Sequence, residues 1–276
     1  MAEYTMLRLS RQGQVATIVP LVEGTASRGS LHWELADAFT ELRADNGIRI
    51  VVVTGEGDTF FVPPPAAAYS AGGGHDTGPA TDPARLWRTF MGIVRCHQTM
   101  AEMEKPIVAR VNGDAIGFGS SLAFACDLIV AVEDARFMDH HMGGAFQASY
   151  GGETKRGGHE EYSVVPGDGG ALIPLHLSPC KAKEYLMLCE PMSAVELAQL
   201  GVINYAVPAS QLDAKVDQLV AALLRRDAHA LAWTKRVVNR RVAEQLNLTL
   251  DASVAYEMAS FHELHRLGGS GPKDLA

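Results

Sequence analysis

The sequence predicts an α/β fold, and three observations carry that prediction. Residues 48–53 form a continuous β-branched run, the pattern of a strand covered on both faces, and residues 107–111 form a second strand-like run. Residues 30–42 and 83–103 instead place apolar side chains at three- and four-residue spacing, the period of an amphipathic helix. The chain has 276 residues, 47% of them apolar and 20% charged, which is ample for one sizeable core.

Taken in order, residues 6–9 and 15–19 are short apolar runs around Arg11-Gln12-Gly13 and read as a hairpin. The helix over 30–42 turns Leu31, Leu35, Ala38, Phe39 and Leu42 to one side, with Ser30 as its N-cap. The strand over 48–53 ends at Thr54-Gly55, and residues 57–83 are too rich in proline and glycine for regular structure. The helix over 83–103 lines up Leu86, Phe90, Ile93, Val94 and His97, which makes His97 a half-buried packing residue. After the strand over 107–111, Asn112-Gly113 turns the chain. Gly117-Phe118-Gly119-Ser120-Ser121 then opens a small-residue helix, and a strand follows over 128–132. Residues 138–158 carry repeated glycines and read as a flexible lid. Helical patterns then dominate, over 181–188, 194–200, 211–224, 230–241 and 248–267, with a strand-like link at 201–207. No internal repeat or linker divides the chain.

A net charge of -8 argues against general nucleic-acid binding. The late basic residues Arg225, Arg226, Lys235, Arg236, Arg240 and Arg241 read as solvated helix faces. The four cysteines form no CxxC pair and read as buried thiols in a reducing compartment. The first residues lack the basic and apolar regions of a signal peptide, and no apolar run approaches membrane-spanning length, so a cytoplasmic location is expected. His140 and His141 lack the spacing of a metal site, so no metal is expected.

The stretch with the most chemistry runs from His159 to Gly170. It sets an imidazole and a carboxylate, His159 and Asp168, on opposite sides of Pro166-Gly167. Such a turn can bring the two together. A carboxylate bonded to one ring nitrogen fixes the tautomer and leaves the other nitrogen free to take a proton from water.

Several stretches resemble the crotonase (enoyl-CoA hydratase/isomerase) superfamily. They are Arg49-Ile50-Val51-Val52-Val53-Thr54-Gly55-Glu56-Gly57, Lys105 to Gly113, Ala125-Cys126-Asp127, Glu133 to Phe137, Val165-Pro166-Gly167 and Ser193 to Pro208, in the family's order. The resemblance implies a spiral of ββα repeats over 1–205 and a helical trimerisation region over 206–276. It also implies a small-molecule substrate, a homotrimer or dimer of trimers, and no cofactor. The family's oxyanion hole, two backbone N–H groups, falls on Val62 and Phe118. The two glutamates of an enoyl-CoA hydratase fall on Ser121 and His159, neither of them a carboxylate.

One branch resembles the pattern better, that of 6-oxocamphor hydrolase and related β-diketone hydrolases. It carries a His nine residues before the Asp of a Val-Pro-Gly-Asp-Gly motif, here His159 and Asp168, and a late Glu, here Glu257. Its His-x-Glu-Leu-x-Asp-Ala-Phe run matches His32 to Phe39. It departs in having a His near the position of Phe118 and in lacking the long insertion before His159. An alternative alignment across that insertion gives the catalytic place to His140 or His141. The implied activity is hydrolysis of a C–C bond between two carbonyls by a retro-Claisen step. Two alternatives remain: a CoA-thioester hydratase or isomerase using Glu160 or Glu161, and a non-catalytic binding protein of the same fold.

Overall fold

The computed structural model describes residues 4–21, 28–63, 83–150, 153–158 and 163–266. The chain opens with a hairpin, β1 (Leu7–Gln12) and β2 (Val15–Pro20), closed by Gly13 at φ 59°. Helix α1 (Arg28–Ala44) follows, so Ser30 lies inside the first turn rather than at its cap. Leu35, Ala38, Phe39 and Leu42 of α1 are fully enclosed. β3 (Ile50–Thr54), α2 (Pro83–Glu102) and β4 (Ile107–Val111) come next. The β-branched run that predicted β3 is buried along nearly all its length, as a strand covered on both faces must be.

A two-residue strand β5 (Ala115–Ile116), a short helix α3 (Phe118–Phe124) and the strands β6 (Leu128–Val132) and β7 (Arg136–Met138) complete the first half. The main sheet has the order β1-β2-β3-β4-β6-β11, and only the first pair is antiparallel. Its last strand, β11 (Tyr205–Val207), returns from the second half to pair with β6. A second sheet stacks β10 (Met192–Ser193), β7 and β5.

Residues 138–158, expected as a flexible lid, contain a regular ribbon. β8 (Ala145–Tyr150) and β9 (Glu153–Gly158) pair antiparallel as a sheet of their own. Its neck is closed by the Val164 amide, which donates to the His141 carbonyl at 2.8 Å.

The second half is helical: α4 (Gly167–His176), α5 (Pro179–Leu188), α6 (Ala194–Gln199), α7 (Leu212–Leu224) and α8 (Ala228–Arg266). The two helices expected over 230–241 and 248–267 are one 39-residue helix, because no glycine or proline interrupts the segment between them. Its apolar side meets α4 and α2 through Leu246, Leu250 and Val254, packed with Phe90, Ile93, Val94 and Leu172. Lys235, expected on a solvated face, is 8% exposed, and its Nζ lies 2.7 Å from Asp127 Oδ2. Cys96, Cys126 and Cys189 are buried as expected, whereas Cys180 is exposed in the first turn of α5. Among the described residues no helix is long and apolar enough to cross a membrane.

Candidate active site

Three pieces of chain converge at one end of the main sheet. The first follows β3. Asn112 accepts the Gly55 amide at 2.9 Å, and its Nδ2 donates to the carbonyls of Gly57 and Thr59. This clamp holds the loop so that the Phe60 and Phe61 amides donate to the Asp114 carbonyl, and Phe61 bridges to Ala115. Val62 comes next, buried in a small cluster with Ile116, Met138 and Cys189.

The second piece is the start of α3. Gly117 has φ 58° and ψ -123°, a combination that a side chain would strain. A Cβ there would also lie 2.6 Å from His140 Cε1. Gly119 packs against Phe61, where a Cβ would come within 2.3 Å of its carbonyl oxygen. So the Val62 and Phe118 stretches lie side by side. Among the described residues, neither the Val62 nor the Phe118 amide has a backbone acceptor. The Phe118 side chain is half-buried and held edge-on by His32 and Phe61.

The third piece is the buried polar cluster formed by the residues just after β7, α4 and α8. His141 stands at its centre. Its Nδ1 donates to Asp139 Oδ1 at 2.8 Å, and its amide donates to the same oxygen at 3.0 Å. Its Nε2 lies 3.4 Å from Glu257 Oε1, an ionic contact longer than a good hydrogen bond. His140 stacks on it with ring centroids 4.8 Å apart. Burial disfavours charge on His141, but the Asp139 and Glu257 carboxylates overcome it and hold the imidazole well above its usual pKa. Burial pushes the Glu257 carboxyl up, with the bond to His141 only partly offsetting it. Glu257 Oε2 is enclosed and has no hydrogen-bond partner among the described residues. It fits because residue 167 is glycine, where a Cβ would lie 1.9 Å from that oxygen.

Asp168 lies in the first turn of α4, as its Pro-Gly turn suggests, and is fully enclosed. The sequence pairs it with His159, which lies outside the described residues, as do Glu160 and Glu161. In the structure Asp168 Oδ2 is 2.9 Å from His97 Nε2, and Oδ1 accepts the Gly169 amide. Burial raises the Asp168 carboxyl, but the His97 hydrogen bond and the nearby histidines 97, 141 and 32 bring it below its usual value. His97 is therefore no half-buried packing residue. It is 1% exposed and bonded to a carboxylate. Sequence reasoning missed it and Asp139. The signal was present for His97, since an imidazole on the apolar stripe of a core helix requires a buried partner.

Of the five residues singled out from sequence, the structure thus gathers Asp168 and Glu257 around His141, and sets Val62 beside Phe118. Ser121 is buried in α3, with no carboxylate in its place. Among the described residues no group of histidine, cysteine and carboxylate side chains has the arrangement of a metal site.

A parallel-sheet spiral with a short helix opening beside a strand end, closed by a long C-terminal helix, defines a crotonase-superfamily enzyme. The chain belongs to the enoyl-CoA hydratase/isomerase family, whose sequence profile matches residues 26–154 and 160–271. Carnitinyl-CoA dehydratase of Salmonella typhimurium is 30% identical over 236 residues, 84% of this chain and 79% of that protein. The crystal structure of an enoyl-CoA hydratase/isomerase from Mycobacterium paratuberculosis superposes with a TM-score of 0.77 at 25% identity, covering 94% of both chains. A β-diketone hydrolase from the cyanobacterium Anabaena, bound to (S)-3-oxocyclohexyl acetic acid, also superposes with a TM-score of 0.77. It is 22% identical and covers 95% of this chain and 96% of its own. The gap between the two matched segments, residues 155–159, begins within β9.

Proposed function

We propose that this enzyme hydrolyses the C–C bond between the two carbonyls of a cyclic β-diketone. The observation that carries the reading is His141, an imidazole held between two carboxylates in a site that has Ser121 at one of the family's glutamate positions. The proton-transfer role that sequence spacing assigned to His159 falls in this reading to His141 and Glu257.

Water bound at the free Glu257 Oε2 attacks one carbonyl carbon and gives its proton to that carboxylate. The carbonyl oxygen becomes an alkoxide, stabilised by the Val62 and Phe118 amides acting as an oxyanion hole. Collapse of the alkoxide breaks the C–C bond, and the electron pair passes into the enolate of the second carbonyl. The Glu257 carboxyl returns the proton to the enolate carbon, leaving one ketone and one carboxylic acid. The His141 imidazolium compensates the Asp139 charge throughout and the Glu257 charge before and after the proton is held there. Asp168 and Asp139 fix the ring positions, and no step requires a metal or redox cofactor.

A second reading is supported by the 30% identity to carnitinyl-CoA dehydratase: addition or removal of water on a CoA thioester, with His141 as the acid and Glu257 as the base. One experiment separates them. Purified protein is incubated in oxygen-18 water with 2,2-dimethylcyclohexane-1,3-dione and, separately, with crotonyl-CoA. The hydrolase reading expects ring opening with one heavy oxygen in the new carboxylate and negligible hydration of the thioester. Turnover of the thioester alone overturns it in favour of the second.

A further inference from the structure

Two enclosed ring nitrogens on either side of Phe118 stand out. Among the described residues, neither His97 Nδ1 nor His32 Nδ1 has a hydrogen-bond partner. Native proteins leave few such groups, and each calls for an explanation, a ligand atom among them. Asp168 determines what His97 offers. A carboxylate only accepts, so the hydrogen lies on His97 Nε2, and Nδ1 of the singly protonated ring presents a lone pair.

The two rings flank one side chain. His32 meets the Phe118 ring edge-on at 4.2 Å between centroids, and the His97 ring lies 5.8 Å from it. The approach is built into the backbone. A Cβ at Gly92 of α2 would lie 3.1 Å from His32 Cβ and 2.9 Å from Trp33 Cδ1, so α1 can bring His32 in only because residue 92 is glycine. The carboxylate of Asp168 acts on both rings. Burial also holds His32 down to about 4, so it carries no charge at neutral pH. An anionic group would meet the Asp168 charge here, with only the uncharged His32 ring beside it. An O–H group would satisfy a bare ring nitrogen.

We propose that His97 and His32 form a polar subsite beside Phe118 that accepts an uncharged O–H group of the ligand, a hydroxyl or an enol. The proposal rests on the reading above only in taking the Phe118 amide, and so the side of the site beside it, as the place of the ligand. It does not depend on which bond is broken. His97 is then a binding residue positioned by Asp168 rather than the base.

The test is equilibrium binding of three neutral ring ketones to the full chain: 4-hydroxycyclohexanone, its methyl ether and cyclohexanone. The wild type should hold the hydroxyl compound on the order of tenfold tighter than the ether, the worth of one buried hydrogen bond. In His97→Gln the amide can still donate to Asp168 from near the Nε2 position but offers nothing at Nδ1. The preference should fall to near unity while cyclohexanone binds as before. His97→Asn, which keeps a polar atom near Nδ1, should retain part of the preference. Equal wild-type affinity for alcohol and ether overturns the proposal, as does a full preference in His97→Gln. Should His97→Gln not fold, the same comparison in His32→Gln decides. No turnover is read, so failure of the diketone-hydrolase reading and failure of this subsite are separately visible.

Discussion

A methyl group at residue 167 would sit 1.9 Å from Glu257 Oε2, so the glycine of the Pro-Gly-Asp-Gly turn is what admits that carboxylate. Gly167→Ala should push Glu257 away from His141 at a stability cost of about 1–3 kcal/mol, the range for an added methyl in a packed core. Turnover should fall by more than the roughly tenfold that a general loosening would give, toward the 10²–10⁴ range of proton-transfer catalysis. Thermal melts and steady-state rates on the same preparation check both figures. His32 sets a different dependence. Its folded pKa is depressed from 6.5 to about 4, so the stability from burying it neutral is present above 6.5. That stability is lost as pH falls through the window down to about 4, amounting to about 3 kcal/mol at most. Urea titrations between those limits should show a shallower decline in His32→Gln than in wild type. His141 has the opposite sign. Its folded pKa is raised, so its contribution is complete below the usual imidazole value and fades as pH rises through the folded one.

At the scale of elements, α8 is fixed to the sheet by a charge in an apolar setting. Lys235 Nζ bonds to the Lys105 carbonyl at 3.0 Å and to Asp127 Oδ2 at 2.7 Å, and that same oxygen accepts the Ile107 amide. Burial raises the Asp127 carboxyl despite this cation. Lys235→Met removes the compensating charge and should destabilise the fold by about 3–5 kcal/mol, whereas Lys235→Met with Asp127→Asn should cost less than the single change. Denaturant midpoints of the two variants decide it, and equal losses would mean that the pair is not coupled. None of this pairing was legible in the sequence, where Lys235 belongs to a run of basic residues on a helix. Strands and early helices were legible, because β-branched runs and the spacing of Leu35, Phe39 and Leu42 report burial directly. The β8–β9 ribbon was not, since β9 has four polar residues followed by two glycines and so shows none of the two-residue apolar alternation that marks a strand. Within the site, spacing pointed to Asp168 and the family resemblance to Glu257, and both side chains are buried there. The contact of His97 with Asp168 was not legible, because spacing along the chain points to neighbours in sequence, whereas His97 arrives from a different helix.

For the whole molecule, the surface of α8 poses the remaining physical question. Trp233 is 73% exposed and Val237 72%, with Val238, Leu248 and Tyr256 also open to solvent on the same helix. Met187 and Leu188 at the end of α5 are exposed as well. Single exposed apolar residues are ordinary, but a tryptophan and valine one helical turn apart form a continuous patch of the kind that marks an interface. Enzymes of this family commonly form trimers, and the prediction is that this chain does so through its helical C-terminal region. A closed ring of identical copies buries such a patch without leaving an open edge. Sedimentation at micromolar concentration should therefore give a particle of three or six times the 29.6 kDa chain mass. Trp233→Glu with Val237→Glu places two charges in the patch. It should shift the protein to monomer while the far-ultraviolet dichroism of the fold is retained. A wild type that sediments as a monomer removes the prediction. A charged double variant that stays assembled would move the interface away from this face of α8, to the exposed end of α5.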